Sequence, residues 1–210
     1  MIKILVADDH AIVRKGLRQI VSETPDIIVT DEASTGHEVI DKVRANDYDA
    51  IILDISMPGG DGLSLLKLIK KEKPRLPILV LSVHPEDQYA IRSLKAGAAG
   101  YLTKESAPDE LITAIRRVSV GRKYVSALLA EKLALQIEFD SEKKLHEKLS
   151  DREYQVLCMM ASGKRIKEIS HELCLSVKTI STYRARILEK MRMKNNAELT
   201  HYAIKHGLVE

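Results

Sequence analysis

The sequence predicts an α/β domain, a doubly wound five-stranded parallel sheet, followed by an all-α domain of four helices that contains a helix-turn-helix. Three observations support this fold class. Short apolar runs alternate with segments of helical length through residues 1–120, and several runs are apolar without interruption, as in strands covered by helices on both faces. After residue 149 only helical spacing and helix-capping residues follow.

Five strands and five helices make up the first domain. Runs rich in Val, Ile and Leu predict strands at Ile2–Ala7, Ile27–Ala33, Ala50–Leu53, Pro77–Ser82 and Ala99–Leu102. Apolar residues at three- and four-residue spacing predict helices at 11–22, 36–46, 62–73, 86–97 and 107–120. Such alternation of strands with helices is typical of a parallel sheet.

A linker with a helix is predicted between the domains. Residues 121–137 indicate a loop and then a helix with apolar positions at Leu128, Leu129, Leu133 and Ile137. Residues 138–148 are charged and lack a core-forming pattern, which favours a solvated connector. The predicted boundaries are therefore 1–121 for the first domain, 122–149 for the linker and 150–210 for the second domain.

The second domain is predicted from its helix boundaries. Ser150 and Glu153 form a capping box before the first helix. The second helix is predicted at Ile166–Cys174, the third begins after Ser176 and ends near Met191, and the last spans Ala197–His206. The short turn between the second and third helices predicts a helix-turn-helix.

Polar residues follow four strands of the predicted sheet. Asp8 and Asp9 come after the first strand, Asp54 after the third, Ser82 ends the fourth and Lys104 follows the fifth. Ligands bind at the carboxyl ends of strands in such sheets, so these side chains should meet. Clustered carboxylates need a cation, and oxygen ligands suit Mg²⁺. An aspartate beside Mg²⁺, a hydroxyl and a lysine can attack a phosphoryl donor.

These motifs resemble the receiver domain of bacterial two-component response regulators, which has a flavodoxin-like fold. The resemblance covers residues 1–121 and rests on Asp8-Asp9, Asp54-Ile55-Ser56-Met57-Pro58 with the glycine-rich residues 59–62, Ser82, and Gly100-Tyr101-Leu102-Thr103-Lys104. It implies phosphorylation by a sensor histidine kinase.

The resemblance also implies a role for each site residue. Asp54 is the implied phosphoacceptor, and the implied Mg²⁺ ligands besides Asp54 are Asp9 directly, Asp8 through water and Ser56 through its backbone carbonyl. Ser82 and Lys104 contact the phosphoryl group, and Tyr101 stands at the position of a switch aromatic. His84, in a loop, and His10, at the start of a helix, receive no catalytic role.

Charge separates the two halves of the chain. Residues 1–120 hold 16 Lys/Arg against 18 Asp/Glu, and residues 121–210 hold 17 against 12, which gives net charges of −2 and +5. A basic second half favours a polyanionic partner. The helical period places Ile180, Tyr183, Ile187 and Met191 on the inner face of the third helix of the second domain. Its outer face then carries Lys178, Thr182, Ala185 and Glu189, flanked by Ser181 and Arg186.

The second domain resembles the LuxR-type DNA-binding domain, and the whole chain resembles the NarL/FixJ family of response regulators. The resemblance rests on 149–153, 163–169 and 175–180 and on Ser181-Thr182-Tyr183 in the recognition helix. It implies contacts with duplex DNA from Lys178, Thr179, Ser181, Thr182, Ala185 and Arg186. Where Ser181 stands the family more often has lysine, so this chain lacks one cationic DNA contact.

The sequence therefore predicts a transcription regulator rather than an enzyme, acting as a homodimer on DNA, cytoplasmic and without a membrane partner. A phosphatase that forms an aspartyl-phosphate is one alternative, but it needs a second carboxylate two residues after the nucleophile, where Ser56 stands. Binding of RNA or protein by the second domain is the other. Phosphorylation can act either by uncovering the recognition helix or by dimerisation, and the sequence leaves both open. Cys158 and Cys174 are predicted to pack in the core.

Overall fold

A computed structural model describes residues 1–57, 62–83, 86–127, 129–131 and 145–209. The chain forms two compact units, Met1–Lys132 and Leu133–Glu210. The predictions for His84, for Leu128, Leu133 and Ile137, and for motif residues 58–61 lie outside the described residues. No helix in the described part of the chain is long and apolar enough to cross a membrane.

The first unit contains the predicted five-stranded parallel sheet. Its strands are β1 (Ile2–Ala7), β2 (Ile27–Ala33), β3 (Ala50–Asp54), β4 (Ile78–Ser82) and β5 (Gly100–Thr103), in the order β2-β1-β3-β4-β5. Ala7 pairs with Leu53, Asp54 with Leu81, and Ser82 with Thr103. The carboxyl ends of four strands therefore lie side by side at one edge of the sheet.

Helices cover the sheet and bury its central strands, as predicted. They are α1 (Ala11–Ser22), α2 (Gly36–Ala45), α3 (Gly62–Glu72), α4 (Glu86–Lys95) and α5 (Ala107–Ser119). Helices α1 and α5 contact each other, and their side chains form one core with alternate residues of β1, β3 and β4. Every residue of β3 and β4 is buried, which explains their uninterrupted apolar runs.

The second unit is all α, with a helix-turn-helix in its middle. A 3₁₀ helix (Leu145–Lys148) precedes α6 (Asp151–Ala161), α7 (Ile166–Glu172), α8 (Val177–Met191) and α9 (Asn196–Lys205). The capping box at the start of α6 is present as predicted, and Ser176 caps α8 by accepting the Thr179 N–H at 3.0 Å. The short turn between α7 and α8 sets the direction of α8.

Two details of this unit differ from the sequence predictions. The predicted connector ends in the 3₁₀ helix, whose His146 Nδ1 lies 3.0 Å from the Tyr202 hydroxyl of α9. Cys158 is buried as predicted, but the core assignment of Cys174 is wrong, since this residue is exposed. Cys174 follows α7 in the left-handed conformation (φ 51°), the position where helices usually place glycine, and there its side chain faces water.

An ion pair between the buried Glu153 of α6 and the exposed Lys190 of α8 joins these two helices. Glu153 is buried, and its carboxylate accepts hydrogen bonds from Lys190 Nζ at 2.6 Å and from the Ser150 N–H at 2.8 Å. Burial acts to raise the pKa of Glu153, but the hydrogen bonds from Lys190 and Ser150 outweigh it and hold the pKa below its usual value. A carboxyl with a lowered pKa stabilises the fold above its ordinary pKa and loses this contribution as the pH falls through the folded-state value.

Glu153→Gln should therefore destabilise the second unit by about 1–3 kcal/mol at neutral pH, because Lys190 loses its charged partner. The difference from the unmodified protein should shrink as the pH falls below about 4. Hydrogen exchange of the α8 amides in the full chain measures both effects. Glu172→Gln, which breaks the exposed Lys164 pair, is the matched control and should cost at most about 1 kcal/mol. Equal effects of the two substitutions would contradict the stabilising role of the Glu153–Lys190 pair.

Candidate functional site

The first part of the site is the acidic pair after β1. The chain leaves the sheet at Asp8, whose N–H donates to the Ala33 carbonyl at 3.1 Å and whose side chain is buried. Asp8 Oδ1 accepts the His10 N–H at 2.8 Å, which turns the chain into α1. Asp9 is partly exposed beside it. Two carboxylates therefore lie at the carboxyl edge of the sheet, one buried and one open to solvent.

Asp54 and Lys104 complete the centre of the site. Asp54 ends β3 with its side chain fully buried; Oδ2 accepts a hydrogen bond from Lys104 Nζ at 2.8 Å, and Oδ1 accepts the Ser56 N–H at 2.7 Å. Lys104 Nζ also lies 2.7 Å from Asp8 Oδ2. The Lys104 N–H donates to the Ser82 carbonyl at 2.7 Å, so the end of β4 fixes the backbone of the lysine.

The electrostatic balance of this centre favours an added cation. Burial raises the pKa of Asp54 although Lys104 and the Ser56 N–H act in the opposite direction. Burial would lower the pKa of Lys104, but the hydrogen bonds that Lys104 donates to Asp54 and Asp8, and the charges of these two carboxylates, outweigh it and the pKa is raised. One ammonium group thus faces two buried carboxylates, and a divalent cation would lower the cost of keeping Asp54 ionised.

The geometry of the acidic cluster fits a hard divalent cation. One oxygen each of Asp8, Asp9 and Asp54 and one nitrogen of His10 all lie within 4.8 Å of one another. Asp8 Oδ2 is buried 2.7 Å from Lys104 Nζ, and Asp9 Oδ1 is buried 2.9 Å from His10 Nδ1. Three clustered carboxylates face a single lysine, and carboxylate oxygens are the ligands that a hard divalent cation prefers.

The other predicted site residues lie around this cluster. Ser56 is two residues after Asp54, and Ser82 is buried at the end of the neighbouring strand β4. Tyr101 is fully buried in β5, where it pairs with Val80. The structure therefore brings Asp8, Asp9, Asp54, Ser56, Ser82 and Lys104 to one edge of the sheet and places Tyr101 below it, inside the core.

A glycine holds the segment after Asp54 against α3. A Cβ atom at Gly62, the first residue of α3, would lie 2.4 Å from both the Cα and the carbonyl oxygen of Ile55. Real Cβ atoms do not approach backbone so closely, so only glycine permits this contact. The backbone at Ile55, between Asp54 and Ser56, therefore depends on the absence of a side chain at residue 62.

Helix α8 presents the predicted outer face to solvent. Lys178, Ser181, Thr182, Ala185 and Arg186 are exposed, whereas Ile180, Ile187 and Met191 are buried. Three other residues of α8 are only partly buried. They are Tyr183 of the inner face, Arg184, whose Nε donates to Asn196 Oδ1 at 2.7 Å, and Thr179, whose hydroxyl lies 2.8 Å from Ser176 Oγ.

Two hydroxyl groups of this outer face are fixed by the helix itself. Ser181 Oγ donates to the Val177 carbonyl at 2.9 Å, and Thr182 Oγ1 donates to the Lys178 carbonyl at 3.0 Å. Because each hydroxyl proton is bound to the backbone, each exposed side chain offers an acceptor oxygen, and Thr182 offers a methyl group as well. This face thus combines acceptors and methyl groups with the cations Lys178 and Arg186.

His10, for which the sequence predicts no catalytic role, has its imidazole in the acidic cluster. His10 Nδ1 lies 2.9 Å from Asp9 Oδ1 and 3.3 Å from Asp8 Oδ1. The direct succession of His10 after Asp8-Asp9 is the one signal in the sequence that indicates this proximity. The side chain does not cap α1.

Two family models match the chain, one in each unit. The model described as response regulator receiver domain matches residues 4–116, and the model described as bacterial regulatory proteins, luxR family, matches residues 147–203. Among curated proteins, the chain is 40% identical over 209 residues to the response regulator UvrY of Escherichia coli K12, covering 99% of this chain and 96% of that protein. It is 36% identical over 211 residues to the response regulator GacA of Pseudomonas aeruginosa, covering 100% and 99%.

Solved structures of similar fold include the RcsB response regulator of Salmonella typhimurium. One of them is 28% identical, covers 98% of both chains and has a TM-score of 0.69. A second, RcsB from Salmonella enterica serovar Typhimurium bound to promoter rprA in the presence of the phosphomimetic BeF3⁻, is 28% identical, covers 96% of this chain and 97% of that chain, and has a TM-score of 0.65. A third, of two RcsB dimers bound to two parallel DNAs, is 30% identical, covers 97% and 98%, and has a TM-score of 0.58.

Proposed function

Because this chain belongs to the two-component response regulators that join a receiver domain to a LuxR-type DNA-binding domain, we propose that phosphorylation of Asp54 controls its binding to specific DNA. Members of this class are transcription regulators and not enzymes. The observation that carries the proposal is the buried Asp54 carboxylate, held by Lys104 and the Ser56 N–H beside Asp8 and Asp9.

The arrangement supports a direct transfer of a phosphoryl group to Asp54. One carboxylate oxygen forms the new bond to phosphorus while the bond between phosphorus and the donor atom breaks, and the donor keeps the electron pair. Lys104 Nζ, at 2.8 Å from Asp54 Oδ2, neutralises charge on the transferred oxygens. Ser82 offers its hydroxyl group from the end of β4. We assign Tyr101 to the switch that senses the phosphoryl group.

Magnesium is the cofactor that suits the acidic cluster best. Asp8, Asp9, Asp54 and the Ser56 backbone carbonyl would hold it, and the close approach of the three carboxylates supports this set. When bound, Mg²⁺ supplies charge that stabilises the transferred phosphoryl group. The other roles in the transfer belong to the side chains of Asp54, Lys104 and Ser82.

The phosphodonor we propose is a sensor histidine kinase. This donor class follows from membership in the two-component response regulators. The location we propose is the cytoplasm, because a bacterial regulator that binds DNA acts there. A phosphohistidine donates through a phosphorus–nitrogen bond, and the partly exposed Asp9 and Lys104 leave the centre open on the side from which such a donor approaches.

Helix α8 is the proposed recognition helix for duplex DNA, which the protein binds as a homodimer. Lys178 and Arg186 suit phosphate contacts, while Ser181, Thr182 and Ala185 suit the base edges of the major groove. Thr179 is assigned to the backbone contacts near the start of the helix. The RcsB structures with DNA and with dimers support both assignments by similarity.

Substitutions on α8 distinguish the contacts with base edges from the contacts with phosphates. Thr182→Ala removes an acceptor and a methyl group, so it should change the preference among operator variants by about 1–3 kcal/mol per disturbed base contact. Lys178→Ala should weaken binding to all sequences and reduce the salt slope by about one. Fluorescence anisotropy with duplex DNA selected from a random library measures both effects.

Random duplex DNA and RNA of matched sequence serve as the controls for this experiment. Equal losses on selected and random DNA for both variants would show that the outer face of α8 does not read bases. Preference for the matched RNA would favour the RNA-binding alternative.

A further inference from the structure

Arg14 of α1 contacts the backbone that carries the acidic pair. Its Nη1 donates to the Asp8 carbonyl at 2.7 Å, and its Nε donates to Glu32 Oε2 at 3.1 Å. The Arg14 side chain is only 17% exposed. A guanidinium group is planar and rigid, so one that binds two acceptors from different parts of the chain fixes both of them relative to its own helix.

The Asp8 carbonyl belongs to the peptide group that links the two carboxylate residues. The N–H of Asp8 is already bound to β2, because it donates to the Ala33 carbonyl at 3.1 Å. The hydrogen bond from Arg14 fixes the next peptide group, whose N–H belongs to Asp9. Because a peptide group is planar, its orientation is set by the ψ angle of Asp8 and the φ angle of Asp9. These two angles also set the direction of the Asp9 side chain, so Arg14 controls where Asp9 points relative to Asp8.

Glu32 connects this arginine to the sheet. It lies near the end of β2, where it pairs with Val6 of β1. Arg18, one turn further along α1, donates from Nε to Glu32 Oε1 at 2.8 Å. Hydrogen bonds from Arg18 and Arg14 hold the pKa of Glu32 below its usual value although burial acts in the opposite direction. Glu32 therefore stays ionised and holds the Arg14 guanidinium in place beside the turn after β1.

We propose that Arg14 is a positioning residue of the cation site, which orients the peptide group between Asp8 and Asp9 so that both carboxylates face one ion. The inference rests on the proposed cation site of Asp8, Asp9 and Asp54. Arg14 acts through the backbone of the ligands and not through contact with the ion. Loss of a group that orients metal ligands costs about 10–100-fold in metal affinity.

The charge of Arg14 alone would have the opposite effect on cation binding. A positive charge close to the carboxylates repels a divalent cation, so its removal would strengthen binding if electrostatics were its whole effect. A merely structural arginine makes a third prediction, in which its removal lowers stability and leaves the cation affinity unchanged. The sign of the change in affinity therefore separates positioning from both alternatives.

Binding of Mn²⁺ alone to the full-length protein tests the proposal, with the free ion measured by electron paramagnetic resonance. Arg14→Gln should weaken binding by about tenfold or more. Arg14→Lys keeps the charge but lacks the planar fork, so it should weaken binding by a smaller factor. Arg18→Gln removes an exposed arginine that shares Glu32 with Arg14, and as the matched control it should change the affinity by less than about twofold.

Thermal unfolding followed by circular dichroism measures the stability of each variant separately. Equal or tighter Mn²⁺ binding by folded Arg14→Gln would overturn the positioning role, and so would an equal loss of affinity in Arg18→Gln. If Arg14→Gln does not fold, unchanged affinity in Arg14→Lys would overturn it. An unmodified protein that does not bind Mn²⁺ would overturn the proposed cation site as well, which distinguishes the failure of that site from the failure of the role of Arg14.

Discussion

Asp54→Asn should abolish phosphorylation of this protein. The amide keeps the shape of the side chain and can still accept the Ser56 N–H, but it is neutral and does not attack phosphorus. Incubation of the unmodified chain with phosphoramidate and Mg²⁺ should add one phosphoryl group that is stable in acid and labile in base. Intact-mass spectrometry measures the addition.

The control for this experiment is another aspartate of the first unit. Asp41→Asn changes an exposed residue of α2 and should leave phosphorylation unchanged. Removal of Mg²⁺ by a chelator should reduce phosphorylation of the unmodified protein to the level of Asp54→Asn. Full phosphorylation of Asp54→Asn would mean that a different residue is the nucleophile.

Gly62→Ala should have the second largest effect. The new methyl group would lie 2.4 Å from the backbone of Ile55, so either α3 or the segment after Asp54 has to move. Overpacking of this kind costs about 1–3 kcal/mol of folding free energy. Because the moved segment carries the Ser56 N–H that fixes Asp54, phosphorylation by phosphoramidate should slow as well. Scanning calorimetry and the mass measurement follow the two effects.

A glycine of α1 provides the matched control. A Cβ at Gly16 meets no atom within 4 Å, so Gly16→Ala should stabilise the first unit by about 0.5–1 kcal/mol through its higher helix propensity. Phosphorylation should not change in this variant. Similar stability of Gly62→Ala and Gly16→Ala would contradict the close approach of α3 to Ile55.

The fold was predictable because each element leaves a strong local pattern. The continuous apolar runs of β3 and β4 require cover on both faces, and the intervening helical segments supply it. The predicted bounds of β1, β2 and α1 match the structure, and the other predicted bounds either match or differ by one or two residues. The strand order β2-β1-β3-β4-β5 depends on packing between distant segments, so no local pattern contains it.

The predicted site followed from topology, because parallel strands bring their carboxyl ends to one edge. Asp8, Asp54 and Lys104 are up to 96 residues apart in the chain, and the strand register places them within hydrogen-bond distance. Their roles in phosphoryl transfer remain predictions until the variants are measured.

Side-chain direction in turns was not predictable. His10 turns toward Asp8 and Asp9 because the chain reverses directly after β1, and that reversal depends on the bond from the His10 N–H to Asp8. Thr179 turns its hydroxyl toward Ser176 because both belong to the cap of α8. Cys174 is exposed because the turn after α7 requires the left-handed conformation there. Helical or strand periodicity does not describe such positions.

The affinity of the full-length protein for DNA, measured with and without phosphorylation, tests the central claim most directly. Anisotropy with a duplex selected from a random library by the phosphorylated protein gives both values. Phosphorylation should raise the affinity by about 5- to 150-fold, the usual range of coupling between two sites, and Asp54→Asn should show no increase. Equal affinities in the two states, or an increase that persists in Asp54→Asn, would contradict control of DNA binding by Asp54.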